Sequence, residues 1–143
     1  MPVRNAEAVW EGTLKEGKGT VKLGSGAFEG PYSWSSRFAN GTDTNPEELI
    51  GAAHAACFTM QLGSYLSNGG NPPTRLHTTA NVHLEKVNDV NTITRIELIT
   101  EGEVPGIDQA TFEAKAREAK EKCIISRALG AINEITLQAT LKN

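Results

Sequence analysis

The chain has 143 residues, of which 22 % are charged and 38 % hydrophobic, with a formal net charge of -3. That composition excludes disorder, collagen-like repeats and coiled coil, and the length suits a single domain over residues 1–143. The basic residues are scattered and not in excess, which argues against nucleic acid as a partner, and no apolar run reaches the roughly 18 residues of a membrane span.

The first twelve residues lack the apolar stretch of a signal peptide, so the chain reads as cytoplasmic. Three short strands are expected before residue 40. Trp10 lies in the first, Val21 and Leu23 in the second, and Phe28 and Tyr32–Trp34 supply the bulky residues that strands favour. Gly24-Ser25-Gly26 marks a turn between them.

A helix then starts with Asn45 as cap, Pro46 at the first helical position and Glu48 three residues after the cap. It runs through Leu49, Ile50, Cys57, Met60 and Leu62 and stops at Asn68-Gly69-Gly70-Asn71-Pro72-Pro73. Gly51, Ala52, Ala53, Ala55 and Ala56 give it little bulk and little polar surface, which predicts a buried helix approached closely by other backbones.

Strict alternation puts Leu76, Thr78, Ala80, Val82 and Leu84 on one face of a strand, with His77 and His83 on the other. Asn88-Asp89 turns the chain into a hairpin partner, Thr92 to Val104, broken by Pro105-Gly106. A second helix is expected over Asp108 to Lys122, a short third over Ile124 to Leu129, and a last strand on Ile135, Leu137, Ala139 and Leu141. The expected order is β-β-β-α-β-β-α-α-β, an α+β domain.

The two cysteines, Cys57 and Cys123, are too few for a disulfide scaffold and lack the Cys-x-x-Cys spacing of a zinc site. Cys57 lies mid-helix, and a small buried core residue is one reading of it. As a nucleophile it needs help, since a thiol of pKa about 8.5 is roughly 3 % ionised at pH 7. The helix N-terminus lies roughly 16 Å away at 1.5 Å per residue, beyond the reach of its dipole. A cation must therefore come from elsewhere, and an arginine suits because it stays charged and donates no proton.

Arg37, in Ser35-Ser36-Arg37-Phe38, is the candidate, with Glu47 as the acid that orients it through a bidentate pair. A solvated surface arginine and a first-turn acid complementing the helix dipole are the plainer readings of the two. Cys123 sits at the N-terminal edge of the short helix, where free N–H groups favour a thiolate. Two such thiols fit a pair in which one becomes a sulfenic acid and the other condenses with it.

Thr44-Asn45-Pro46-Glu47-Glu48-Leu49 followed by Ala52-Ala53-His54-Ala55-Ala56-Cys57-Phe58 resembles the OsmC branch of the OsmC/Ohr hydroperoxide reductases. The resemblance spans nearly the whole chain, from Ala8-Val9-Trp10-Glu11-Gly12 through Ser36-Arg37-Phe38 and Val104-Pro105-Gly106-Ile107 to Cys123 and Ser126-Arg127-Ala128-Leu129. It implies an OsmC-like fold: an intertwined homodimer whose two sheets, each built from both chains, enclose two long central helices. It implies thiol-dependent reduction of organic hydroperoxides, and more weakly of hydrogen peroxide, in oxidative or osmotic stress defence. Cys57 matches the peroxidatic cysteine, Cys123 the resolving one, Arg37 the arginine that stabilises the thiolate, and Glu47 the acid that holds it. No bound cofactor is implied; an external dithiol or lipoylated protein restores the thiols.

The chain departs from the family in one place. Cys123-Ile124-Ile125-Ser126 stands where the family usually has proline directly after the cysteine. Proline there fixes the first turn of the short helix, so the departure is expected to affect closure by Cys123 and not attack by Cys57. Phe58 and Met60 are expected in the apolar wall that receives bulky hydroperoxides.

Three rivals stand beside this reading. His54 and Cys57 lie three apart on one helix, and His77 and His83 share a strand face, but zinc needs about four ligands. A Cys–His hydrolase with His54 as base lacks an orienting group and an oxyanion loop. A stress-related binding or structural dimer with two inert thiols remains as the non-enzymatic alternative.

Overall fold

The computed structural model describes all residues, Met1–Asn143. The chain forms two compact units, Met1–Leu49 and Ile50–Asn143. Its elements run β1 (Ala6–Glu11), β2 (Lys18–Leu23), β3 (Glu29–Tyr32), α1 (Trp34–Phe38), α2 (Pro46–Asn68), β4 (Arg75–Val87), β5 (Val90–Glu103), α3 (Gln109–Lys122), α4 (Ile124–Ala128) and β6 (Glu134–Leu141). This is a mixed α+β chain with two sheets and four helices, one helix more than the sequence predicts.

In the first unit β1, β2 and β3 form an antiparallel sheet in that order. Gly19 pairs with Trp10 on one side and Tyr32 on the other, and the two rings meet over it with centroids 5.3 Å apart. A Cβ at Gly19 would stand 2.5 Å from carbon atoms of each ring, so only glycine lets the two aromatics close on each other.

The added helix is α1. Ser33 and Ser36 form a reciprocal cap: Ser36 N–H donates to Ser33 Oγ at 3.1 Å and Ser33 N–H to Ser36 Oγ at 3.2 Å. These two bonds satisfy donors that a helix start leaves open, and they turn Trp34 from the expected strand into the first residue of a helix. Ser36 Oγ also donates to Thr44 O at 2.7 Å, and Asn45 Nδ2 to Ser36 O at 3.0 Å, which ties α1 to the segment that opens α2. Asn45 caps α2 as expected, with Glu48 N–H donating to its Oδ1 at 2.8 Å. Glu48 accepts from Thr44 Oγ1 instead of closing the box on Asn45.

In the second unit β4 and β5 form an antiparallel hairpin, and β6 adds to β5 in parallel, with Ile96 opposite Ile135. Asn88 and Asp89 both adopt left-handed φ, 49° and 63°, as a two-residue hairpin turn demands. The core gathers Phe58, Leu62 and Leu66 of α2, Ile96 and Leu98 of β5, Val104, and Phe112, Ala116 and Ala119 of α3. Asp108 caps α3 by accepting from Thr111 N–H at 2.8 Å, and the Thr111 hydroxyl and N–H hold its carboxyl below the usual range.

The expectation of a wholly buried α2 holds for one face only. His54, Phe58 and Leu62 are fully buried, whereas Ala52, Ala53 and Ala56 are exposed and Met60 is 78 % exposed. The small side chains and Met60 thus form an uncovered apolar stripe on the single chain. No helix is long and apolar enough to cross a membrane.

Candidate active site

The first unit holds a cation on a short, well-capped support. Arg37 is the penultimate residue of α1, and Glu47 lies in the first turn of α2. Arg37 Nε donates to Glu47 Oε1 at 2.9 Å, and Nη2 approaches the same oxygen at 2.9 Å. The pair expected from the sequence is therefore present but forked onto one oxygen, not a parallel two-oxygen clamp. Glu47 Oε2 is buried without a partner. The arginine side chain stays 43 % exposed while the glutamate's is 10 % exposed, so the pair joins a nearly buried acid to a half-open cation.

Beside Arg37 lies a cavity of about 230 Å³ walled by Trp10, Leu14, Tyr32, Trp34 and Phe38. The Arg37 guanidinium carbon stands 5.2 Å from the Phe38 ring centre, close enough for a cation–π contact. Phe58 and Met60, expected in an apolar wall, do not share one. Phe58 is fully buried in the core, and Met60 projects from the exposed stripe.

The second unit holds the thiols. Cys57 sits on α2 and is partly buried; Cys123 is fully buried at the junction that ends α3 and opens α4. Their Sγ atoms are 2.9 Å apart, so the two thiols are in hydrogen-bonding contact although 66 residues separate them in sequence.

Burial pushes the Cys57 thiol above its ordinary pKa, and the shared hydrogen bond with Cys123 pushes the same way. Opposing them, the backbone N–H groups of Ile125 and Ile124 donate to Cys57 and pull its pKa down. No lysine or arginine of the second unit contributes a charge there. Ile124 is the smaller of these two influences, and proline at that position would have no N–H to give.

His54, the base or metal ligand of the rival readings, faces Ser126. Its Nε2 hydrogen-bonds Ser126 Oγ at 2.7 Å, and burial lowers its pKa, so it stays neutral at physiological pH. His83 is engaged with Glu97 at 3.0 Å, and no three His, Cys, Asp or Glu side chains converge on a metal-holding position. Ser126 carries no role in the sequence reading. The matched spacing of His54–Cys57 and Cys123–Ser126, three residues each, is the signal that points to it.

Residues 39–138 match the family model described as OsmC-like protein. The chain is 48 % identical over 141 residues to a protein named Peroxiredoxin OsmC from Escherichia coli strain K12, covering 98 % of this chain and 97 % of that relative. The chain belongs to the OsmC-like family.

Solved structures agree with that membership at the level of the fold. An OsmC-like protein of unknown function from Vibrio cholerae aligns with a TM-score of 0.79 at 17 % identity, over 97 % of this chain and 99 % of the other. An organic hydroperoxide resistance protein from Elizabethkingia anophelis aligns with a TM-score of 0.75 at 23 % identity, over 99 % of this chain and 98 % of the other. Both likenesses are of the fold and say nothing by themselves about which side chains react.

Proposed function

We propose that this OsmC-like chain is a Cys-based peroxidase that reduces organic hydroperoxides to alcohols. The observation that carries the reading is the contact of two free thiols at 2.9 Å. The 48 % identity over nearly the full length to a protein named a peroxiredoxin supports the same activity.

In this reading the Cys57 thiolate attacks the distal oxygen of the hydroperoxide in line. The O–O bond breaks, Cys57 becomes a sulfenic acid, and the alkoxide takes up a proton to leave as the alcohol. Arg37 supplies the positive charge that Cys57 needs, donating to the thiolate and then to the oxygens as charge moves onto them. Glu47 holds the guanidinium in place. Cys123 then attacks the Cys57 sulfur, the S–S bond forms, and water leaves. An external dithiol or a lipoylated protein reduces the disulfide.

The aromatic cavity beside Arg37 favours an alkyl or aryl hydroperoxide over hydrogen peroxide, since its walls offer apolar contact and few polar groups. The assembly in this reading is an intertwined homodimer with both chains contributing to each site. The exposed stripe of Ala52, Ala53, Ala56 and Met60 supports it, because small side chains allow two backbones to approach closely.

One observation favours the inert-thiol alternative: burial raises the Cys57 pKa, which makes a poor nucleophile unless a cation intervenes. A peroxidase assay with a dithiol reductant decides between the two. The peroxidase reading predicts a higher kcat/KM for cumene hydroperoxide than for hydrogen peroxide, with turnover abolished by Cys57→Ser. Equal efficiency on both peroxides would remove the substrate assignment. Turnover surviving in Cys57→Ser would remove the mechanism.

A further inference from the structure

The Cys57–Cys123 contact is one of two side-chain hydrogen bonds between the same pair of helical segments. His54 precedes Cys57 by three residues on α2, and Ser126 follows Cys123 by three at the start of α4. His54 Nε2 and Ser126 Oγ are 2.7 Å apart, and the two sulfurs 2.9 Å apart. His54 is fully buried and Ser126 is 8 % exposed.

Ile125 and Leu129 pack α4 against the core, but its N-terminal end has little side-chain support. The helix is five residues long, Cys123 makes no side-chain cap, and Ile124 is 71 % exposed. His54 Nδ1 is buried with no partner, so the bond to Ser126 is the ring's only side-chain hydrogen bond. A polar ring buried with one atom unsatisfied costs stability that an apolar filler of similar size would not. What the pair does provide is a fixed distance between α2 and α4.

We propose that His54 and Ser126 are positioning residues for disulfide closure: their hydrogen bond holds α4 in the register that brings Cys123 Sγ to Cys57 Sγ. The proposal rests on the redox role of the two thiols given above. The step it governs is attack by Cys123 on the Cys57 sulfenic acid. The S–S bond forms, the S–O bond breaks, and the departing hydroxide combines with the Cys123 proton as water. The hydroperoxide is the oxidant, consumed in the step before. The neutral state that burial imposes on His54 suits a positioning role, since the ring adds no charge beside the thiols.

The test separates the two steps. Reduced full-length protein is mixed rapidly with cumene hydroperoxide, quenched at intervals, and scored by intact mass for sulfenic acid (trapped with dimedone) and for disulfide. Ser126→Ala should form sulfenic acid at close to the wild-type rate but close the disulfide on the order of tenfold more slowly, the scale of one lost buried hydrogen bond. Sulfenic acid then accumulates, and excess peroxide drives it to the sulfinic acid. Ser126→Thr, which keeps the hydroxyl, should restore closure, a rescue that mere loosening of the fold would not show.

Closure at the wild-type rate in Ser126→Ala overturns the proposal, as does failure of Ser126→Thr to rescue. The same variants are oxidised in parallel with diamide, which closes dithiols without peroxide. If wild type ignores cumene hydroperoxide but closes with diamide, the peroxidase reading falls. The diamide rates then decide the positioning role of His54 and Ser126 alone: slow closure in Ser126→Ala supports it, and wild-type closure refutes it.

Discussion

Replacing Ile124 by proline should make the protein slightly more stable and less reactive at once. Ile124 is 71 % exposed, so losing its side chain sacrifices little buried surface. It occupies the first position of α4, where proline's fixed φ is already suitable. Cys123 before it has ψ 131°, in the extended range that a residue preceding proline adopts. Proline at a compatible site stabilises by about 0.4–1 kcal/mol through the unfolded chain.

The same change deletes one of the two backbone N–H groups that donate to Cys57. Losing that donor removes one influence that favours the charged form, so the Cys57 pKa rises further and the thiolate population at neutral pH falls. The thiolate that remains is more nucleophilic, with a Brønsted slope of about 0.4–0.5, so the rate of peroxide attack falls by less. Urea unfolding reads the first effect. The pH dependence of Cys57 alkylation, followed by peptide mass so that Cys123 is scored separately, reads the second. An unchanged or lower Cys57 pKa in Ile124→Pro would refute the donor assignment. A loss of stability beyond about 1 kcal/mol would refute the backbone geometry.

Arg37→Ala should shift the rate–pH profile for hydroperoxide to alkaline, because Cys57 then keeps the raised pKa that burial gives it; an unshifted profile would show that another group ionises the thiol. The raised pKa also sets a stability trend with a definite sign. A thiol held neutral in the fold contributes stability that is complete below the unfolded thiol's pKa, about 8.5, and is lost as pH rises through the folded value. Adding Cys57→Ala to Arg37→Ala, where no cation offsets the raised pKa, should therefore flatten the alkaline fall in melting temperature. Glu47→Gln should cut turnover sharply by releasing Arg37 while lowering stability by no more than about 1 kcal/mol, since the arginine is 43 % exposed; a large stability loss with turnover intact would reverse that assignment. Gly102→Ala should destabilise by about 1–3 kcal/mol in urea, because the new Cβ meets the buried Phe112 ring at 2.7 Å.

The parts of this fold legible in the sequence are those set by local chemistry. Asn45 and Asp108 announce their helices by side-chain caps, Asn88-Asp89 announces a turn that needs left-handed φ, and β4 shows its alternation directly. Helix α1 was hidden because Trp34 and Phe38 have strand character, and the Ser33–Ser36 cap outweighs them only once the chain folds back to Thr44. The uniform small-residue run of α2 does not reveal that one face meets Phe112 and Leu98 in the core while the other stays uncovered.

At the site, residue types were legible and relations were not. The sequence offers Arg37, Glu47, Cys57 and Cys123 by resemblance, but the forked contact on Glu47 Oε1 and the 2.9 Å approach of the sulfurs depend on tertiary placement. His54–Ser126 joins residues 72 apart, so no local pattern announces the bond.

The central claim is that Cys57 and Cys123 act as one redox pair toward hydroperoxides. Adding one equivalent of cumene hydroperoxide to the reduced protein and reading thiol content with intact mass tests it most directly. The account predicts rapid loss of both thiols and a mass lower by two hydrogens, with no crosslink between chains. Two intact thiols and an unchanged mass would contradict it and leave Cys57 and Cys123 as buried side chains of the core.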